Sequence, residues 1–195
     1  DFGGALPALR DRIAQDLLSD DPAVREAAAV VYLIDKTAFR IGSTADTGSE
    51  KQAYGATTLR SSHVKIVGDK VSFRFTGKKG VAISETVRDA TLAKILSERM
   101  KPRARLFDVS DDDVRVYMKS RMDQPFTPKD FRTYYGTALA LERVKSMRVP
   151  NSEKALKKAM REVAESVSKY LGNTPAVALK SYIAPAVWSR WKARK

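Results

Sequence analysis

Arginine, lysine and tyrosine are the residue types through which this chain could carry out chemistry. The sequence has no cysteine and a single histidine, His63. It therefore has no disulfides, thiolate zinc sites or cysteine nucleophiles, and one histidine argues against a Ser-His-Asp triad or a histidine metal cluster. Carboxylates, cations and hydroxyl groups remain as the functional groups that could carry out chemistry.

A segment beginning at Thr127 combines a predicted helix start with two cations. Thr127 is a preferred N-cap residue, Pro128 suits the first helical position, and Asp130 complements the positive end of the helix. Lys129 and Arg132 are three residues apart and are therefore expected on one face. Two interpretations fit this pattern equally well. One is a phosphate-binding helix start, and the other is an ordinary capped helix with exposed charges.

Two turns carry further polar groups. The sequence Gly77-Lys78-Lys79-Gly80 is predicted to place two lysines at the tip of a hairpin, where a solubilising turn is the simpler interpretation. Between two predicted helices, Gly172 suits the left-handed residue after the first helix, and Thr174-Pro175 suits the start of the second. Asn173 is then held where its amide can donate to an anion, or it simply tolerates turn geometry.

Tyr182 is predicted to lie beside a kink or a helix end. It precedes Pro185, which lacks a backbone donor and disfavours helical geometry at Ala184. The chain has seven tyrosines, and a tyrosine considered alone is usually a core or surface residue. Tyr182 is therefore a candidate only in combination with the other segments.

Charge favours a polyanionic partner. The net charge is +13, with 15 Lys and Arg against 13 Asp and Glu in residues 1–100 and 21 against 10 in residues 101–195. A basic excess confined to one half of the chain favours nucleic acid over a merely solvated surface. Membrane binding is disfavoured because the basic stretches lack a strongly apolar opposite face. The acidic run Asp111-Asp112-Asp113 is predicted to be the first turn of a helix rather than a metal site.

Hydrophobic periodicity predicts an α+β fold that is mainly α-helical. Residues 1–42 read as helical, with one helix predicted over Val24–Phe39. Alternating runs at 63–67, 71–75 and 81–83 predict a small three-stranded antiparallel β-meander over about 62–84, with His63 in a strand. Residues 86–195 read as helical again, and we expect 1–195 to be a single catalytic domain.

Taken together, these segments resemble the C-terminal catalytic domain of the poxvirus-like and bacterial type IB DNA topoisomerases. The resemblance runs in order from about residue 30 to 190 and ends in a tyrosine nine positions after Asn173. The segments that carry it are Phe39-Arg40-Ile41-Gly42, Thr58-Leu59-Arg60 leading to His63-Val64, Phe75-Thr76-Gly77-Lys78, Lys129-Asp130-Phe131-Arg132-Thr133-Tyr134, Gly172-Asn173-Thr174-Pro175 and Lys180-Ser181-Tyr182.

The resemblance implies a set of residue roles. Tyr182 would be the nucleophile that forms a 3′-phosphotyrosyl ester. Arg40, Lys78 and Arg132 would be catalytic, with Lys78 as the acid that protonates the leaving 5′ oxygen. Many members have His where this chain has Asn173, which can donate to a phosphate oxygen but carries no charge. The remaining basic residues would assist, with Lys129 beside the same phosphate and Lys79 and Lys180 on the DNA.

The same resemblance also implies an activity, a binding partner and a location in the cell. The enzyme would relax supercoiled double-stranded DNA as a monomer, without ATP, metal or any small-molecule cofactor, because the tyrosyl ester conserves the bond energy needed for religation. We expect a cytoplasmic, nucleoid-associated bacterial protein. The chain begins with Asp1 rather than Met, so we also expect that it is part of a longer protein whose N-terminal DNA-clamp domain is absent here.

Two alternatives remain open from the sequence. A tyrosine recombinase or integrase uses a similar Arg-Lys-Arg-Tyr scheme, but it usually has a histidine three residues before the second arginine, where this chain has Lys129. A non-catalytic DNA-binding module would use the basic second half while Tyr182 merely packs.

Overall fold

The computed structural model describes residues 1–43 and 52–192, which form α-helices and one small antiparallel sheet. This confirms the expected α+β, mainly α-helical fold. The strands are β1 (Val64–Val67), β2 (Lys70–Thr76) and β3 (Ala82–Arg88). The helices are α1 (Phe2–Asp16), α2 (Pro22–Thr37), α3 (Ala90–Ser97), α4 (Asp111–Arg121), α5 (Pro128–Ser146), α6 (Glu153–Leu171), α7 (Pro175–Ser181) and α8 (Ser189–Lys192).

The chain divides into two compact units, which we call the first unit (Asp1–Phe131) and the second unit (Arg132–Lys195). The first unit contains α1 to α4 and the whole sheet, whereas the second contains most of α5 and all of α6, α7 and α8. None of the helices in the described ranges is both long enough and apolar enough to cross a membrane.

The sheet is a meander with the order β1-β2-β3. It extends further than the sequence indicated, because β3 continues to Arg88, which pairs with Lys70 of β2. The prediction of helix from residue 86 is therefore wrong over this stretch, and α3 begins only at Ala90, after the N-cap residue Asp89. Cross-strand pairing with β2 decides the difference, since residues 84–88 keep the alternating exposure of a strand.

The sequence predicted His63 in a strand, and this prediction is wrong. His63 ends a one-turn 3₁₀ helix, Ser61–His63, and β1 starts at the next residue. The ring Nδ1 accepts a hydrogen bond of 3.0 Å from the backbone N–H of Arg60, which holds the side chain against its own turn. Burial and the nearby charge of Arg60 lower the pKa of His63. The ring is therefore neutral at pH 7, as its acceptor role requires.

The end of α2 leads the chain toward Arg40. The helix stops at Thr37, two residues before the predicted end, because Ala38 adopts a left-handed conformation with φ of 54°. The Phe39 side chain is then free of the helix and packs edge-on against Phe73 of the sheet, with ring centroids 5.1 Å apart. Packing between aromatic rings thus fixes the backbone immediately before Arg40.

The acidic run at 111–113 forms the first turn of α4, as the sequence predicted. Ser110 is the N-cap, and its hydroxyl accepts a hydrogen bond from the Asp113 N–H while the Asp113 carboxylate accepts one from the Ser110 N–H. Hydrogen bonds from Ser110 hold the pKa of Asp113 below its usual value. These carboxylates therefore stabilise a helix start.

Asp89 connects α2 with the junction of β3 and α3. Its carboxylate accepts hydrogen bonds from the Tyr32 hydroxyl at 2.9 Å and the Leu92 N–H at 2.7 Å, and it lies 3.4 Å from Lys36 Nζ. Burial raises the pKa of Asp89, but these hydrogen bonds and the lysine charge outweigh burial and lower it overall. Burial and the nearby Asp89 carboxylate raise the pKa of Tyr32 to about 12.

Replacing Asp89 by Ala is expected to lower the free energy of unfolding at pH 7 by about 1–3 kcal/mol, because a helix cap and a hydroxyl partner are lost together. The Asp89→Asn variant keeps an oxygen that can accept the cap hydrogen bond, so its free energy of unfolding should fall by less. Folding lowers the pKa of Asp89. The carboxylate therefore stabilises the folded protein fully above the unfolded-state pKa of roughly 3.9, and this stabilisation is lost as the pH falls through the folded-state pKa. Urea unfolding at pH 7 and pH 3 measures both effects. An equal loss in the Ala variant at the two pH values would contradict the linkage.

Candidate active site

Arg40 lies in a loop of the first unit whose backbone is held by a second segment. The Arg40 carbonyl accepts a hydrogen bond of 2.8 Å from the Ala56 N–H. The Ile41 carbonyl accepts two, from the N–H and the hydroxyl of Thr57, each 2.8 Å long. The position of Arg40 is therefore set by residues far along the chain from α2.

A close backbone contact between two glycines fixes the same loop. Gly42 has a φ of +83°, which L side chains rarely adopt. A Cβ on Gly55 would lie 2.4 Å from both the Cα and the N of Gly42 and 2.7 Å from the Arg40 carbonyl oxygen. Only glycine fits at position 55 without moving the Arg40 loop.

Lys78 and Lys79 occupy the tip of the hairpin between β2 and β3, as predicted. Both are exposed, and they belong to a one-turn 3₁₀ segment, Lys78–Gly80. The hairpin is closed by a hydrogen bond of 2.7 Å from the Gly77 N–H to the Val81 carbonyl. Lys79 has a φ of 61°, a left-handed conformation that is unusual for a residue with a side chain.

The start of α5 lies at Pro128, the predicted first helical position. The Asp130 carboxylate accepts hydrogen bonds from the Thr127 N–H at 2.7 Å and the Thr127 hydroxyl at 3.0 Å, and Pro128 is the first helical residue. Lys129 is exposed, whereas Arg132 is buried. The sequence expectation of one shared face does not anticipate this difference, because burial depends on what packs against the helix.

Arg132 is buried and makes two described contacts within the second unit. Only 3% of it is exposed, and its Nη2 donates a hydrogen bond of 2.9 Å to the carbonyl of Leu171, the last residue of α6. Its guanidinium carbon lies 5.0 Å from the centroid of the Tyr182 ring, which is a cation–π geometry. Arg132 thus contacts both the end of α6 and the candidate nucleophile.

Asn173 lies in the turn between α6 and α7, whose geometry is as predicted. Gly172 ends α6 in the left-handed conformation, with φ of 65°, and Thr174 caps α7 by accepting a hydrogen bond from the Val177 N–H. The side-chain nitrogen and oxygen of Asn173 are buried, and neither has a hydrogen-bond partner within residues 1–43 and 52–192. A buried amide without partners is costly, so this side chain is not explained by the turn alone.

Tyr182 is the residue immediately after α7, which confirms its predicted place at a helix end. Its backbone N–H donates to the Ala178 carbonyl, and the helix does not continue into Pro185. Only 4% of the residue is exposed, whereas Lys180, in the last turn of α7, is exposed. The candidate nucleophile therefore belongs to the interior of the second unit.

The structure brings some of the candidate residues together within one unit. Tyr182 and Arg132 are in contact in the second unit, and Arg132 also binds the helix end that precedes Asn173. Arg40, Lys78, Lys79 and Lys129 belong to the first unit. Within residues 1–43 and 52–192, no group of three or more histidine or acidic side chains is placed to hold a metal ion.

Three further residues hold the backbone near the candidate residues, and the sequence predicted no role for them: Gly55, Gly136 and Thr137. A Cβ on Gly136 would lie 2.9 Å from the Tyr182 carbonyl oxygen, and the Thr137 hydroxyl donates to that same oxygen at 3.2 Å. A glycine inside a helical pattern is a recognised signal of close packing and could have drawn attention to Gly136. No local pattern marks Gly55 or Thr137.

The basic charge is concentrated in the second unit. Residues 132–195 contain 14 Lys and Arg against four Glu, a net of +10 out of the total +13. The unit that contains the Arg132–Tyr182 pair is thus also the one suited to a polyanion.

Comparison with known proteins identifies the family. The model of the family described as "Eukaryotic DNA topoisomerase I, catalytic core" matches residues 1–190. The chain belongs to this family. The match confirms the resemblance to type IB topoisomerases that the ordered motifs indicated.

Individual members of this topoisomerase family have 25–30% sequence identity to the chain. The chain is 30% identical over 154 residues to a DNA topoisomerase 1B of Acanthamoeba polyphaga mimivirus, covering 69% of this chain and 45% of the relative. It is 30% identical over 179 residues to a DNA topoisomerase 1 of Caenorhabditis elegans, covering 80% of this chain and 22% of the relative. For the human DNA topoisomerase 1, the identity is 25% over 153 residues, covering 73% and 20%. The chain thus spans less than half the length of these relatives.

Gly55→Ala is expected to destabilise the protein by about 1–3 kcal/mol, because the added methyl group forces the Gly42 backbone to move. The matched control is Gly4→Ala in α1, where a Cβ meets nothing within 4 Å. This control should be neutral or stabilising by about 0.5–1 kcal/mol, since alanine favours a helix. Urea unfolding of both variants measures the effect. If the two substitutions had equal effects, the close contact would not constrain the loop.

Proposed function

We propose that this chain is the catalytic part of a type IB DNA topoisomerase. In this proposal it relaxes supercoiled duplex DNA by cutting one strand through Tyr182 and resealing it. The observation that carries the proposal is the contact of the buried Arg132 guanidinium with the Tyr182 ring, in a chain that belongs to the topoisomerase I catalytic-core family.

The proposed reaction is a pair of reversible transesterifications. The Tyr182 hydroxyl loses its proton and attacks a backbone phosphorus, the bond from phosphorus to the 5′ oxygen breaks, and that oxygen takes up a proton. The product is a 3′-phosphotyrosyl ester and a free 5′-hydroxyl, whose strand end can rotate and release supercoils. Religation reverses each bond change, so the ester itself supplies the energy and ATP is not consumed.

Arg132 is suited to stabilise the charge that develops in both directions. The phenolic oxygen is negative once it has lost its proton, and attack then concentrates negative charge on the nonbridging oxygens. A guanidinium offers several donors in fixed geometry to these groups. Because Arg132 is already buried and bound to the α6 carboxyl end, little reorganisation is needed when charge develops.

Asn173 is suited to donate to a nonbridging oxygen. Its amide is buried without a partner among the described residues, and such a group costs about 1–3 kcal/mol. A phosphate oxygen would accept from the amide nitrogen and remove part of this cost. A neutral amide gives a weaker contact with an anion than a charged imidazole, so the cations of the site would carry more of the stabilisation.

The first unit contributes residues whose roles we infer from the family resemblance. Arg40 is proposed as the second guanidinium that acts on the phosphate, and Lys78 as the acid that protonates the 5′ oxygen. Support for these roles comes from the constrained loop that holds Arg40 and from the exposed hairpin tip that presents Lys78. Lys129 is proposed as a supporting cation.

Double-stranded DNA is the proposed substrate and partner. The net charge of +10 in the second unit provides a binding contribution that does not depend on base sequence and weakens with salt. The exposed side chains of Lys79 and Lys180 are proposed to contact the backbone.

Tyr182→Phe should abolish plasmid relaxation and covalent capture on DNA, because the attacking oxygen is removed while the ring that contacts Arg132 remains. Salt-sensitive DNA binding should be nearly unchanged. Tyr170→Phe in the same unit is the control for loss of a tyrosine hydroxyl and should relax DNA like the parent. Relaxation gels, adduct trapping and peptide mapping measure the outcome, and relaxation by the Tyr182→Phe variant would refute the proposal.

The same assays separate the alternatives. A non-catalytic DNA-binding module would bind DNA with the same salt dependence but would give no covalent adduct. A recombinase would hold two marked duplexes together and exchange their strands, so a synapsis assay should be negative for the proposed topoisomerase.

Asn173→Ala should lower the single-turnover cleavage rate by about 10²–10³, the usual effect of losing one preorganised donor. The same change removes a buried amide without a partner, so the melting temperature should stay the same or rise. Asn151→Ala, at an exposed position between α5 and α6, is the control and should change neither quantity. A fall in melting temperature that accounts for the lost rate would instead assign Asn173 a structural role.

A further inference from the structure

The side chain of Thr137 holds the backbone that follows the candidate nucleophile. The Thr137 hydroxyl donates a hydrogen bond of 3.2 Å to the Tyr182 carbonyl and accepts one of 3.1 Å from the Ala184 N–H. One hydroxyl thus closes both ends of the Tyr182-Ile183-Ala184 segment. All of these residues belong to the second unit.

This segment needs an external partner because it lies between two breaks in helical structure. Tyr182 follows the last residue of α7, with φ of −131° and ψ of −5°, so its carbonyl is among those that a helix end leaves without intrahelical partners. The next structured segment begins with Pro185, which has no N–H to offer. The Thr137 hydroxyl bonds to the two backbone groups at these breaks, the Tyr182 carbonyl and the Ala184 N–H.

Gly136 makes the approach of α5 to this segment possible. A Cβ at position 136 would lie 2.9 Å from the Tyr182 carbonyl oxygen and 3.2 Å from Leu171 Cδ1. Glycine therefore lets the helix backbone come close enough for the hydroxyl of the next residue to bridge the turn. The same helix also carries Arg132, whose guanidinium contacts the Tyr182 ring.

We infer that Thr137 is a positioning residue for the nucleophile, an inference that rests on the proposed function of Tyr182. Its hydroxyl fixes the Tyr182 backbone relative to α5, and therefore relative to Arg132 on that helix. Catalysis by approach and orientation is sensitive to such placement, since an error of about 1 Å can cost about 100-fold in rate. Thr137 itself acts through Tyr182 and need not touch DNA.

The test compares three substitutions at one position in the purified protein. Thr137→Val keeps the shape and removes both hydrogen bonds, Thr137→Ser keeps the hydroxyl, and Thr137→Ala removes both the shape and the hydroxyl. Ser146→Ala is the matched control, because this exposed hydroxyl on the same helix bonds to the Arg143 carbonyl of its own helix. The measurements are single-turnover cleavage and religation at saturating DNA, DNA affinity, and melting temperature.

Thr137→Val should slow cleavage by about 10- to 100-fold with unchanged DNA affinity, and Thr137→Ser should recover most of the parent rate. Cleavage and religation cross the same kind of transition state with the same tyrosine placement. Both rates should therefore fall by a similar factor, and the fraction of covalent adduct at equilibrium should stay near that of the parent. A merely destabilised fold would instead lower the melting temperature and the fraction of active protein, without changing the cleavage rate of the molecules that remain folded.

Failure of this inference is distinguishable from failure of the proposed function. If the parent forms a covalent adduct on Tyr182 and Thr137→Val cleaves at the parent rate, the positioning role is overturned while the topoisomerase proposal stands. A loss of rate explained entirely by a lower melting temperature also overturns it. If the parent forms no adduct on Tyr182, both proposals fall.

Discussion

The guanidinium of Arg132 is a full positive charge in the interior of the second unit, and the surrounding structure must offset the cost of removing it from water. One part of this compensation is the hydrogen bond to the Leu171 carbonyl, which lies at the negative end of the α6 dipole. Another is the face of the Tyr182 ring, 5.0 Å from the guanidinium carbon. Removing either contact would leave a buried cation less well compensated, so Arg132 couples the positions of α5, α6 and the end of α7.

The backbone groups that bind the side chains of this region lie at helix ends rather than helix centres. α6 ends at Leu171 and α7 begins at Pro175, so carbonyl groups and the Asn173 side chain come together in a short turn. α7 in turn ends at Ser181, which releases Tyr182 from helical geometry. Helix ends leave backbone groups that seek partners, and here those groups bind the side chains of Arg132 and Thr137.

Stability and the proposed activity make opposite demands on this region. A buried amide without partners at Asn173 among the described residues and a buried cation at Arg132 both cost free energy in the unbound protein. A core built only for stability would replace them with apolar side chains of similar size. Their presence is what a preorganised site for an anion requires, because the donors are already in place and already separated from water.

The sequence alone determined those features that depend on neighbouring residues. The first turn of α4 at residues 111–113, the cap at Thr174, the left-handed Gly172, the hairpin at residues 77–80 and the helix end at Tyr182 were all predicted. Each depends on a few adjacent positions, so local patterns were sufficient. The order of the motifs also identified the family. Where pairing with another strand mattered, as in β3 and at His63, the local pattern placed the boundary wrongly.

Which of these residues are buried, and what they contact, depends on how distant segments pack together. Lys129 and Arg132 are both cations predicted on one face of the same helix. Lys129 is nevertheless exposed, whereas Arg132 contacts segments about 40 and 50 positions further along the chain. The close contact of Gly55 with Gly42 and the bridge from Thr137 to Tyr182 likewise join distant segments. Burial and hydrogen bonding at these positions are properties of the packed chain, because each depends on which distant backbone comes within about 3–4 Å.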